Sequence, residues 1–298
     1  MVACVYHPIY SVPFPSKHRF RMEKFRLLYE RLLRTRIITK NDIVSPEPVT
    51  QEMIKIAHSQ DYVDNFFANN LDVKRAKRIG LPWSEQLALR ATYSIGGTLL
   101  TAKLALENGI ACHLAGGTHH SHFNFGSGFC IFNDLAITAL TLIEQQLADL
   151  IFILDCDVHQ GDGTATIFQN NTDVFTCSIH CKNNFPLQKP DSDLDIALEK
   201  DIGDDEYMVA LRQGLSAMLE FEPDLVIYDA GVDVHEDDAL GKLSMTSQGI
   251  AARDYLVLKT CVDNGVPVAT VIGGGYHKNL DGLVRRHCVI HEQARQFV

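Results

Sequence analysis

Apolar residues along this chain follow two rhythms. Short, mostly apolar runs occupy Val2–Tyr6, Ile110–Ala115, Leu150–Leu154, Val174–Ile179, Leu225–Tyr228 and Val266–Ile272. Runs of this length, bounded by glycine or acidic residues, predict strands buried on both faces. Between them the apolar positions recur at helical spacing. Lys17–Leu33 sets Phe20, Phe25, Leu28 and Leu32 on one side and arginines on the other, which predicts a helix. Thr50 can cap a helix running to about His58, and Asp61–Phe67 continues in the same rhythm. Ser84, with Glu85 in the first turn, starts a long helix that Asn108-Gly109 ends. Gly96-Gly97 inside it is a weak point or a place of close packing. Asp134–Ala148, Asp204–Leu219 and Ser247–Val262 complete the helices, while Pro8–Ser16, Pro46 and Pro48 mark irregular chain.

Apolar strands alternating with helices imply an α/β fold with a mostly parallel central sheet and helices on both faces. No repeat, low-complexity tract or linker divides the 298 residues, so residues 1–298 read as a single domain. Composition adds little to that picture but narrows the function. With 46% hydrophobic residues a large core is available, and no apolar stretch is long enough to span a membrane. The net charge of −10 argues against direct nucleic-acid or anionic-membrane binding. It leans towards cationic substrates, or simply towards solubility. The eight cysteines form no C-x-x-C pair, and most sit in apolar segments, as buried free thiols do. Together with an N-terminus that lacks a signal-peptide pattern, this predicts a reducing, cytoplasmic setting.

The informative regularity lies where the strands end. One ends in Gly116-Gly117-Thr118-His119-His120, the next in Asp155-Cys156-Asp157-Val158-His159. Others end in Ser178-Ile179-His180, in Asp229 followed by Asp233, and in Gly273-Gly274-Gly275-Tyr276. Ligands of parallel sheets sit at the carboxyl ends of the strands, so these groups converge on one rim. Residues two apart on a strand share a face, which would project Asp155, Asp157 and His159 together. Two carboxylates and an imidazole on one buried face call for a cation, and mixed oxygen and nitrogen donors suit zinc or another first-row divalent metal. Asp157 and His159 supply two ligands, with Asp233 the best third. The tandem His119-His120 on a glycine turn supplies acid–base groups, with Asp155 and Asp162 as acids free to orient them. Tyr276, after three glycines, can donate to a developing oxyanion. These are the parts of a metal-activated hydrolase acting on an acyl carbon.

Five segments in order, Gly116–His120, Ser127–Asp134, Asp155–Gly163, Asp229–Asp233 and Gly273–Tyr276, resemble the zinc-dependent histone deacetylase family. That family includes acetoin-utilisation proteins and acetylpolyamine amidohydrolases. Pro15-x-x-His18-Arg19-Phe20 and Asp238-x-Leu240-Gly241 look most like its class IV-related bacterial branch. The resemblance implies an arginase/deacetylase-like three-layer fold and one zinc ion held by Asp157, His159 and Asp233. It further implies His120 as general base oriented by Asp162, His119 as its electrostatic or acid partner oriented by Asp155, and Tyr276 as the transition-state tyrosine. Gly128 and Phe129 would line an acyl-lysine tunnel with Phe185 as the other wall. A structural potassium ion would use the Asp155, Asp157 and His159 segment with Ser178 and Ile179. The implied substrates are acyl-lysine proteins or peptides, or small acylated amines such as acetylpolyamines. Thr118, Gln160 and Phe185-Pro186-Leu187-Gln188 depart from the family pattern, the last at the tunnel rim. Two other readings stand beside this one. An arginase-like ureohydrolase would need a second metal and further bridging aspartates, and an acyl-lysine binding or scaffold module would need no turnover.

Overall fold

Among the described residues eight strands build one sheet: β1 Ala3–Val5, β2 Ile43–Val44, β3 Ile110–His113, β4 Ile151–Asp155, β5 Val174–Cys181, β6 Leu194–Leu198, β7 Leu225–Asp229 and β8 Val268–Val271. Their order is β2-β1-β3-β8-β7-β4-β5-β6, and every neighbouring pair is parallel. The structure, a computed structural model, describes residues 2–297. Within these residues ten α-helices surround the sheet: α1 Lys24–Arg34, α2 Gln51–Ile54, α3 Gln60–Phe67, α4 Val73–Ile79, α5 Glu85–Asn108, α6 Asp134–Glu144, α7 Asp162–Phe168, α8 Asp204–Phe221, α9 Ser247–Asp263 and α10 Leu280–Ala294. Helix α5 packs on β1, β3 and β8, and α8 on β4, β5 and β6. The central strands β4 and β7 are buried along their whole length, which explains their unbroken apolar sequences.

The chain crosses from β3 to β4 over the space that β8 and β7 later fill. The carboxyl ends of β3, β8, β7 and β4 are therefore neighbours, although their residues lie far apart in sequence. Gly96-Gly97 is a place of close packing. A Cβ on Gly96 would collide with the Glu47 carbonyl, and one on Gly97 with the Tyr10 hydroxyl and the His113 ring. The caps at Thr50 and Ser84 form as expected, accepting from Met53 N and Leu87 N.

Several expectations need correcting. Residues 17–23 are not helical, and α1 begins at Lys24. His18 and Phe20 instead pack their rings on Phe129, which pulls this stretch across the site. The helix after Thr50 stops at Ile54, well before His58. Strands β2 and β6 and helices α4, α7 and α10 carried no legible rhythm. β6 is a half-buried edge strand, and α10 buries Arg286, His287 and His291 where a core helix would carry apolar residues. Among the described residues no helix is long and apolar enough to cross a membrane, and all eight cysteines are buried and unbridged.

His58 ties the site's loops to this frame. Its ring accepts from Asn133 N at 2.9 Å and contacts the His122 carbonyl at 2.9 Å. Burial pushes its pKa down to about 4. The folded chain thus prefers neutral His58, while the unfolded chain protonates it near 6.5. The stabilisation is full above pH 6.5 and is lost as pH falls towards 4. The wild-type melting temperature should therefore drop through this window, and His58→Gln should remove that part of the slope. An unchanged slope in the variant would rule out His58 as its source.

Candidate metal centre and active site

Two glycines start the site. Gly116 and Gly117 both adopt positive φ, 85° and 87°, at the end of β3. A Cβ on Gly117 would lie 2.7 Å from Gly273 Cα, so only glycine lets the two loops pass. Asp134, at the first turn of α6, then accepts from Gly117 N at 3.1 Å and Thr118 N at 2.7 Å. This fixes the backbone that presents His119 and His120.

At the end of β4 the expected geometry changes. The two-residue alternation stops at Asp155, because Asp155 Oδ1 accepts from Asp157 N at 3.0 Å and bends the chain. Asp157 Oδ1 accepts from His159 N in the same way at 2.9 Å. Asp155, Asp157 and His159 therefore do not form one cluster. Asp157 and His159 join Asp233, and the three offer ligand atoms within 4.8 Å of one another. Asp155 joins His119 and Asp229 in a second such group.

The first group is shaped for a cation. Asp157 Oδ2 accepts from Gly274 N at 2.8 Å, and Asp233 Oδ1 accepts from Val158 N at 2.9 Å. These bonds aim the carboxylates, while Asp233 Oδ2 is buried without a hydrogen-bond partner. His159 Nδ1 lies 2.9 Å from Asp157 Oδ1 and 3.2 Å from Asp233 Oδ2. Burial, then the neighbouring Asp157 charge, push Asp233 up to about 7. A Cβ on Gly274 would collide with both Asp157 Oδ2 and Asp233 Oδ2, so the glycine loop leaves room for this cradle. Two hard carboxylates and one imidazole, with an orphaned buried oxygen, match the donor set of a catalytic zinc site. In the second group, His119 Nδ1 and Asp155 Oδ2 bond each other at 2.7 Å, so they satisfy one another directly.

His120 has its own partner. Its Nδ1 lies 2.6 Å from Asp162 Oδ1, and the two histidine rings are 4.0 Å apart. Their environments push them in opposite directions. Burial would lower His119, but the Asp155 and Asp157 carboxylates overcome it and hold His119 well above 6.5. Burial, then the His119 charge, outweigh Asp162 and bring His120 down to about 4. Neighbouring titratable groups pushed apart in this way suit one protonated and one proton-accepting histidine. Burial and the nearby Asp157 and Asp233 charges raise the Tyr276 phenol well above 10, so it stays a donor.

His120, His159, Asp162 and Tyr276 line a cleft of about 1120 Å³. Gly128, Phe129 and Phe185 line it too. The Phe185 ring meets the His120 ring edge-on at 4.8 Å, and the Phe129 ring lies 5.7 Å from the Tyr276 ring. A Cβ on Gly128 would fall 2.5 Å from the His120 ring, so this wall must approach without a side chain. Tyr276 N donates to Asp238 Oδ2 at 2.7 Å, which seats the loop. Ser178 is the register partner of Asp155, and Val158 O accepts from Cys181 N, so the Asp155–His159 segment lies against Ser178 and Ile179. Gln160 donates to the Pro190 carbonyl and Asp195, an anchoring role that tolerates its departure from the family pattern.

Sequence reasoning missed two contributors, His122 and Arg253, and left a third, Asp229, without a role. His122 bonds the second oxygen of Asp162 at 3.0 Å. Asp229, across β7 from Asp155, is fully buried with neither carboxylate oxygen hydrogen-bonded, and burial raises it well above its usual range. Arg253, buried on α9, donates to the carbonyls of Cys156, Ala230 and Gly231, clamping together the two loops that carry Asp157 and Asp233. His122 lay two residues from the tandem pair, and Asp229 stood at a strand end. Nothing in the sequence marked Arg253.

The histone deacetylase domain model matches residues 18–290. An uncharacterized protein of Picosynechococcus is 51% identical over 292 residues, covering 98% of this chain and 97% of its own. The acetoin utilization protein AcuC of Bacillus subtilis is 32% identical over 266 residues, covering 81% of this chain and 68% of its own. The crystal structure of a histone deacetylase homolog from Aquifex aeolicus superposes with a TM-score of 0.85 at 22% identity, over 98% of this chain and 84% of that one.

Proposed function

This chain belongs to the histone deacetylase family, and we propose that it is a zinc-dependent amidohydrolase that removes acyl groups from Nε-acyl-lysine of proteins or peptides. The reading treats residues 1–298 as one catalytic domain. The observation that carries it is the meeting of the Asp157, His159 and Asp233 cradle with two differently tuned His–Asp pairs and Tyr276 beside one cleft. Asp157, His159 and Asp233 would hold the zinc, which when bound supplies Lewis-acid polarisation of the scissile carbonyl and an acidified water. His120 Nδ1 is committed to Asp162, which leaves Nε2 to take a proton on the cleft side. His119, held protonated by Asp155, offers positive charge beside the reaction and a proton for the leaving amine. Tyr276 donates its phenol hydrogen to the developing oxyanion. Gly128, Phe129 and Phe185 form the walls along which an acyl-lysine stem would lie. The same reading includes a structural potassium ion at Asp155, Asp157, His159, Ser178 and Ile179, for which the pairing of Asp155 with Ser178 in the β4–β5 register is the support.

The test is a panel of acyl-lysine peptides, short- and long-chain, with acetylpolyamines, assayed with zinc and potassium present. Turnover of at least one acyl-lysine peptide, lost on chelation and restored by zinc, is expected. A zinc-loaded protein that binds the panel yet hydrolyses none would replace this reading with a binding module.

A further inference from the structure

Resting on that reading of the cleft as a deacylase site, we infer that the flanks of the acylated lysine are acidic: the mouth is built to receive an anionic peptide rather than a polyamine. The cleft is lined by four cations, Arg19, Lys77, Arg78 and Lys189. Among the described residues that line it, the one carboxylate is Asp162. Both Asp162 oxygens are taken, by His120 and His122. A substrate therefore meets positive charge without a free negative partner.

These cations belong to the site's architecture. Arg78 O accepts from Gly128 N at 3.2 Å, and Ile79 O from Phe129 N at 2.8 Å. The last turn of α4, which carries Lys77 and Arg78, is thus strapped to the wall that approaches His120. His18, next to Arg19, bonds the Gly80 carbonyl at 2.9 Å on the same strap. Lys189 donates to the carbonyls of Asn184 and Pro186, at 2.8 and 2.6 Å, and so braces the Phe185 wall. Arg78 also stacks on the Phe125 ring, 3.7 Å from its centroid. The contrast within α4 is informative. Arg75, which does not line the cleft, pairs with Asp61 and Asp72, whereas Lys77 and Arg78 make no salt bridge among the described residues.

The local sign opposes the global one. The chain carries a net charge of −10, which would favour cationic ligands, yet the mouth presents four basic side chains. Charge lining a cleft acts on the ligand more strongly than charge dispersed over the surface. An acetylated polyamine brings ammonium groups to this rim and is repelled. Glutamate or aspartate beside an acyl-lysine is attracted, and because Arg19, Lys77 and Arg78 are solvent-exposed, the attraction is screened by salt.

The experiment uses four substrates bearing the same acetyl group: a neutral blocked acetyl-lysine amide, a Glu-flanked peptide, a Lys-flanked peptide and N-acetylspermidine. In low salt kcat/KM should favour the Glu-flanked over the Lys-flanked peptide by about tenfold or more, with N-acetylspermidine poorest. The ratio should collapse towards one near 1 M salt, where the Debye length is about 3 Å. Lys77→Glu should lower the ratio further at low salt. If the neutral amide and both peptides are turned over equally well at all salt concentrations, or N-acetylspermidine is preferred, the inference is overturned while the deacylase reading stands. If no substrate is turned over by the zinc-loaded protein, the deacylase reading fails and takes this inference with it.

Discussion

Asp233→Asn is expected to give a folded protein that neither retains zinc nor turns over substrate. The asparagine keeps an oxygen for Val158 N, the one hydrogen bond that Asp233 makes to the backbone, so the loop after β7 holds its path. What disappears is the negative charge and the orphaned Oδ2, the two properties that suit this residue to the proposed role of ligand. Burial of that charge is costly in the metal-free protein, as its rise to about 7 indicates. The metal-free variant should therefore melt no lower than the metal-free wild type. Activity should fall by about a thousandfold or more, since a catalytic zinc needs its full set of protein ligands. Metal analysis after dialysis, circular dichroism and turnover measure the three effects. Stoichiometric zinc with unimpaired turnover in Asp233→Asn would remove Asp233 from the ligand set.

Tyr276→Phe should show the complementary pattern, with zinc retained and kcat lost. The phenylalanine ring preserves the contact with Phe129, and the backbone bond from residue 276 to Asp238 does not involve the side chain. Only the phenolic donor is deleted. Loss of one preorganised oxyanion donor costs about 10²–10³ in kcat. Little change in KM is expected, because the donor acts on charge that develops after binding. A wild-type kcat in this variant would leave Tyr276 as a wall residue and assign the oxyanion to other groups.

How much of this was legible before folding can be judged residue by residue. The strands β3, β4, β5, β7 and β8 announced themselves as apolar runs because each is buried on both faces, where side-chain identity is most constrained. The chemistry at their ends was legible for the same reason, since polar groups directly after a buried run must face the sheet's rim. The edge strand β6 and the short helix α4 were not, because partial exposure relaxes the choice of residue. Residues 17–23 were misread because Phe20 faces a loop, Phe129, and not a helix groove. The period of two that joined Asp155 to Asp157 and His159 failed at the first side chain able to bond the backbone two residues on.

By itself, the sequence determined the kind of fold and the kinds of group available: alternating buried strands and helices, with carboxylates, imidazoles and a phenol at the strand ends. Such information is local, carried by periodicity and residue type within a single segment. Tertiary structure decided which of those groups meet. Asp155 lies against His119, Asp162 against His120 and His122, and Asp233 against Asp157 and His159, because the sheet order makes β3, β8, β7 and β4 neighbours. It also decided the charge of the mouth, because α4 is strapped to the Gly128-Phe129 wall and leaves two cations there without acidic partners among the described residues. Hydrogen bonding and ion pairing fall off within a few ångströms, so contacts between groups 36 to 75 residues apart in the chain exist only once the sheet has set its order.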